Sequence, residues 1–142
     1  MRNLTDDERN SILREALKWV GVPYLLHGSD RAGIDCSHFV AAVYKNALKI
    51  NLTPKADWLF LTSSIISLKQ SKPGDLVFFC REPRPVCRVA THVAIYYFRN
   101  TVIHASYKKG GVAIEPIENI PGLITEKKDD YLSAWIKEIS RI

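Results

Sequence analysis

The chain of 142 residues carries 20 Lys and Arg against 15 Asp and Glu, a formal net charge of +5, and 46% of its residues are hydrophobic. That is enough for one packed core and too much apolar content for a disordered chain, so the sequence reads as a single domain spanning residues 1–142. Seven Gly and seven Pro, scattered without a period, exclude collagen-like and solenoid classes. The basic excess lies in residues 31–90, with nine Lys or Arg against four Asp or Glu. Without interleaved aromatics it reads as a solvated surface, and no nucleic-acid partner is expected.

The first residues mix acids and bases and lack the apolar core of a signal peptide. No apolar run approaches the ~20 residues of a membrane span. A soluble chain with no visible export route is the expectation.

Thr5-Asp6-Asp7-Glu8 forms a capping box, in which Thr5 and Glu8 each satisfy a free backbone amide, and predicts a helix. Ile12, Leu13, Ala16, Leu17 and Val20 recur on one stripe, and Gly21 with Pro23 ends the segment. The stretch GVPYLLHGSDRAGID is a shaped loop in which Gly21, Gly28 and Gly33 are expected to supply positive φ. Asp35 caps a second helix through CSHFVAAVYKNALK, with Phe39, Val40, Val43, Tyr44, Ala47 and Leu48 as its buried stripe. Cys36 then stands in the first turn on the inward face. There the partial positive charge of a helix N-terminus is expected to stabilise a thiolate and lower the thiol pKa. Residues 51–70 read as a short helix or irregular packing, with Trp58 and Phe60 as core residues rather than groove lining.

From Pro73-Gly74 the texture changes to strands: DLVFFC, VATHVAIYYF, TVIHASY, GVAIEP and LSAWIKEISRI. Helices followed by antiparallel strands on short turns argue for an α+β fold with N-terminal helices packed on a central antiparallel β-sheet. Both alternating sets of VATHVAIYYF are largely apolar, which predicts a central strand covered on both faces and opened by His92.

A thiol nucleophile needs a base beside it, and that base needs an orienting partner on its other ring nitrogen. Cys36, His92 and His104 fill those roles, provided that the two histidines share one face of the sheet. A two-residue hairpin at Arg99-Asn100 would place them on opposite faces. A three-residue loop, Phe98 to Asn100, pairs Ala94 with His104 and brings them together, so the odd-length turn is predicted.

The run GVPYLLHGSDRAGIDCSHFVAAVYKNA, then KPGDLVFF, then THVAIYYFRNTVIHAS and a closing strand resemble the NlpC-type cell-wall peptidases, a papain-like family that cuts peptidoglycan stem peptides. The resemblance covers nearly the whole chain from about residue 10. It implies a papain-like NlpC-type fold, Cys36 as nucleophile, His92 as base and His104 as the orienting third residue. Tyr24 matches the family's active-site tyrosine, and Asp35 and Ser37 match the flanks of the nucleophile, as substrate-binding residues. Two histidines depart from the family pattern, His27 in His27-Gly28 and His38 after Asp-Cys-Ser, each in place of a glycine. Both are read as marks of a narrower or differently charged substrate groove, with His38 as a substrate-binding residue, against the alternative that both rings point to solvent.

The implied substrate is peptidoglycan or a muropeptide, cut between γ-linked D-glutamate and meso-diaminopimelate or lysine through a thioester, by a monomer that needs no metal or other cofactor. A periplasmic or extracellular target follows, although no signal peptide is visible. The alternative is a related acyltransferase, amidase or thioesterase on the same fold with a non-murein substrate. A zinc module using Cys36-x-His38 lacks tight CxxC-type pairs, and a domain with a retired site is the remaining class. Of three cysteines, Cys36 must stay free for catalysis, while Cys80 and Cys87 form either a disulfide or two loop thiols.

Overall fold

The computed structural model describes residues 4–63, 68–81 and 90–124. The predicted closing strand LSAWIKEISRI and Cys87 lie outside the described residues.

Helix α1, Asp6–Leu17, opens with the capping box: Glu8 N–H donates to Thr5 Oγ1 at 3.2 Å and Thr5 N–H to Glu8 Oε1 at 2.9 Å. Ile12 and Ala16 are fully buried, but Leu17 and Val20 are exposed. The helix stops at Leu17, and the amides of Lys18, Trp19 and Val20 reach back three residues instead of four. This tighter winding turns Val20 outward and Trp19 into the core, edge-on to Phe39 with ring centroids 6.5 Å apart. Arg9 ties α1 to the sheet through an ion pair with Asp75 at 2.7 Å.

The loop that follows contains a two-stranded ribbon, β1 Ser29–Asp30 with β2 Gly33–Ile34. Gly21 has the expected positive φ of 93°, whereas Gly28 and Gly33 do not. Those two are needed for space. A Cβ on Gly28 would lie 2.4 Å from the Gly33 carbonyl oxygen, and one on Gly33 would lie 2.5 Å from Leu25 Cβ. His27 takes the left-handed turn instead, at φ 64°.

Helix α2, Cys36–Leu48, is capped by Asp35 and buries Phe39, Val40, Val43 and Tyr44. A short helix α3, Ala56–Thr62, follows, with Leu59 and Phe60 inside and Trp58 largely outside. The sheet is a meander of β3 Leu76–Phe79, β4 His92–Tyr96, β5 Thr101–Ser106 and β6 Gly111–Pro116, all antiparallel and in chain order. One face carries Phe78, Val93, Ile95, Ile103 and Ala105 into the core shared with α2. The other carries Val77, Phe79, Ala94, Tyr96 and Val102 into a second cluster closed by Ile117, from the 3₁₀ turn after β6. Strand β4 is therefore buried along its whole length, as its apolar pattern predicts.

The β4–β5 connection is the predicted odd-length turn. Ile95 pairs with Ile103 and Tyr96 with Val102, and Tyr97 N–H donates to the Thr101 carbonyl at 2.9 Å, leaving Phe98, Arg99 and Asn100 as the loop. Asn100 is left-handed at φ 59°, and Arg99 joins it at φ 49°. Among the described residues no helix is long and apolar enough to cross a membrane.

Candidate active site

The start of α2 is held by one buried carboxylate. Asp35 Oδ1 accepts from the His38 amide at 2.9 Å and contacts His38 Nδ1 at 2.8 Å, while its Oδ2 accepts from the His27 amide at 2.9 Å. The cap of the helix and the preceding loop are thus fixed to each other through a single side chain. Ser37 Oγ donates to the Pro54 carbonyl at 2.8 Å, which anchors the same turn from its other side.

Cys36 is a free thiol, partly buried in that turn. Burial pushes its pKa up, and the neighbouring Asp35 charge pushes the same way. Backbone hydrogen bonds with Val93 and Ser37 and the field of Arg81 oppose this without overcoming it. The expected depression by the helix terminus is therefore not what the structure gives: removal of the sulfur from water outweighs the favourable amides around it.

The contact with Val93 puts the thiol at the beginning of β4, one residue from His92. His92 and His104 lie on the same face of the sheet, 5% and 2% exposed, with His92 Nε2 2.7 Å from His104 Nδ1. His104 Nε2 lies 2.7 Å from Glu115 Oε1, and Glu115 is itself 5% exposed. Burial, the adjacent His104 and Arg81 together lower the His92 pKa to about 3. Burial also lowers that of His104, against the pull of Glu115. His92 Nδ1 is buried with no hydrogen-bond partner among the described residues. The structure thus brings the two histidines into direct contact and sets Cys36 beside their strand, with thiol and imidazole both neutral.

His92, His104 and Glu115 border a cavity of about 190 Å³ that Arg81 and Tyr107 help to wall. Tyr24 packs edge-on against Tyr107 with ring centroids 5.6 Å apart. Its phenol pKa is raised by burial and by the nearby Cys36 and Asp35, which places it at the thiol. His38 borders a different cavity, of about 470 Å³, together with Trp19, Arg31 and Lys45. The ring of His38 is half-buried on Asp35, and His27 is exposed. Cys80 is disulfide-bonded.

Residues 21–124 match the sequence pattern of the NlpC/P60 family. The chain belongs to the NlpC/P60 family. It is 33% identical over 96 residues to the gamma-DL-glutamyl hydrolase of Bacillus subtilis, covering 67% of this chain and 22% of that one. It is 31% identical over 104 residues to the murein DD-endopeptidase MepS/murein LD-carboxypeptidase of Escherichia coli, covering 73% of this chain and 53% of that one. The chain therefore spans about a fifth and about half of the length of these relatives. The crystal structure of the NlpC/p60 domain of the peptidoglycan hydrolase SagA superposes with a TM-score of 0.71 at 28% identity, covering 84% of this chain and 98% of that one. The α+β architecture is that of NlpC/P60 domains.

Two residues at this candidate site escape a reading of the sequence. Glu115 sits in GVAIEP, where Ile114 turns outward, 45% exposed, and the acid turns in. The only signal is register: with Tyr107 to Gly110 as the turn and Ser106 paired with Gly111, His104 pairs with Ala113, and Glu115 is its diagonal neighbour on the same face. Arg81 follows the last residue of β3 by two and carries no pattern at all. Its charge nevertheless acts on Cys36, His92 and Tyr24 together.

Proposed function

We propose that the chain is a cysteine peptidase that hydrolyses peptidoglycan stem peptides, with Cys36 as nucleophile, His92 as general base and His104 as the group that orients it. The observation that carries this reading is the buried ring-to-ring contact of His92 and His104, which leaves one nitrogen of His92 unengaged at the strand end where the Cys36 thiol sits. Because burial keeps both groups neutral, the proton leaves sulfur for His92 Nδ1 as the carbon–sulfur bond forms, and not before. His92 then returns that proton to the departing amine, and water opens the thioester by the same route.

The oxyanion needs a preorganised donor. Of the first-turn amides of α2, that of His38 is taken by the Asp35 side chain, that of Phe39 by the Asp35 carbonyl and that of Ser37 by the thiol. The Cys36 amide is left to meet the oxyanion. Tyr24 contacts the substrate beside the nucleophile and His38 faces it from the separate cavity on the far side of Asp35, while Asp35 and Ser37, buried with their side chains spent on the turn, act by shaping it.

The bond assigned is that between γ-linked D-glutamate and the diamino acid of the stem peptide. The relative named as a gamma-DL-glutamyl hydrolase supports that choice, and the one named as a DD-endopeptidase and LD-carboxypeptidase offers the competing bonds. Digestion of muropeptides of known chemistry, with products identified by mass, decides between them. Cys36→Ala is expected to abolish product formation, and full activity in that variant would overturn the nucleophile assignment.

A further inference from the structure

Resting on that assignment of the base, we propose that Glu115 is a positioning residue that fixes the tautomers of both buried histidines and so decides which nitrogen of His92 can take the thiol proton. The argument is a count of protons along two short contacts. A carboxylate only accepts, so the 2.7 Å contact of Glu115 Oε1 requires the hydrogen of His104 to sit on Nε2. A neutral imidazole has one N–H, which makes His104 Nδ1 an acceptor. The 2.7 Å contact from there to His92 Nε2 then requires that nitrogen to be the donor. What remains is a lone pair on His92 Nδ1, the buried atom without a partner among the described residues. The carboxylate thus sets the basic nitrogen two rings away, and takes no part itself as the proton moves from Cys36 sulfur to His92 and on to the leaving amine. Its negative charge also faces the positive charge that His92 acquires in that step, through a His104 held ready to accept the hydrogen bond of the new imidazolium.

An amide at position 115 breaks this logic, because it presents either oxygen or NH₂. With NH₂ toward His104 the chain of donors reverses and puts hydrogen on His92 Nδ1, which then has no lone pair for the thiol proton.

The test is nitrogen-15 NMR of the histidine rings, with steady-state kinetics on muropeptide, in the wild type and in Glu115→Gln. Expected are Nε2–H tautomers at His92 and His104 in the wild type, a substantial Nδ1–H population at His92 in the variant, and a kcat loss on the order of 10²-fold with KM little changed. An Nδ1–H tautomer at His92 in the wild type overturns the proposal, as do unaltered tautomers or an unaltered kcat in the variant. Should Glu115→Gln fail to fold, the wild-type spectrum alone still decides. Failure of the peptidase assignment looks different: the wild-type tautomers are as stated and no muropeptide is cleaved.

Discussion

Asp35 offers the sharpest single perturbation, because one side chain holds the cap of α2, the His27 loop and part of the field at the thiol. Asp35→Asn keeps the shape and removes one acceptor. If the Asn oxygen keeps the His38 amide, its NH₂ group faces the His27 amide, donor against donor; if it is flipped, the helix loses its cap. Either way a part-buried backbone donor loses its acceptor, at a cost of about 1–3 kcal/mol. For a chain of this size that lowers Tm by roughly 3 °C per kcal/mol, or roughly 3–9 °C in all. The same change removes a negative charge that holds the Cys36 pKa up, so the midpoint of iodoacetamide alkylation against pH moves down while stability falls. Calorimetry and alkylation kinetics on the same preparation read both. An unchanged Tm refutes the assigned role of Oδ2, and an alkylation midpoint that moves up refutes the electrostatic account of the thiol.

The buried His92 gives a pH signature. Its folded pKa of about 3 lies below the ordinary 6.5, so between those values the unfolded chain binds a proton that the folded chain does not, and stability falls as pH drops through that window. His104 acts in the same sense. Unfolding free energies from urea titration at pH 7, 5.5 and 4.5 are expected to decline by an amount on the order of several kcal/mol, and the decline is expected to be much shallower in His92→Gln; equal slopes would contradict it. Gly28→Ala forces a Cβ to within 2.4 Å of a backbone oxygen and 2.9 Å of a second, so a loss of about 1–3 kcal/mol is expected by denaturant titration, and a neutral substitution would show that the loop can open.

The caps were legible because they depend on neighbours in sequence: Thr5 with Glu8, and Asp35 with His38, meet across a single turn. The odd-length turn was legible for another reason. Requiring His92 and His104 to share a face leaves only one parity for the loop, and the observed register obeys it. Leu17 and Val20 misled because a stripe drawn at 3.6 residues per turn assumes that the helix continues, whereas the chain tightens after Leu17 and hands the buried place to Trp19. Gly28 and Gly33 were recognised as necessary for the wrong reason, since close approach between loop strands appears only when the loop is folded.

The thiol shows where reading a sequence reaches its limit. A cysteine at N1 of a helix is a local fact, and the amide field of that helix end favours a thiolate by a modest amount that fades within a turn. Desolvation is not local. It depends on Val93, Tyr24 and the sheet end that close over Cys36, and here it is the largest influence. The same closure lowers His92, so the two groups proposed to exchange a proton are both held in their uncharged forms. In the proposed mechanism charge separation then occurs only with a carbonyl in place to take the sulfur's electrons. Under the proposed mechanism, reactivity depends on the donors and the carboxylate arranged around the reacting atoms, the Cys36 amide and Glu115 among them, more than on a standing thiolate.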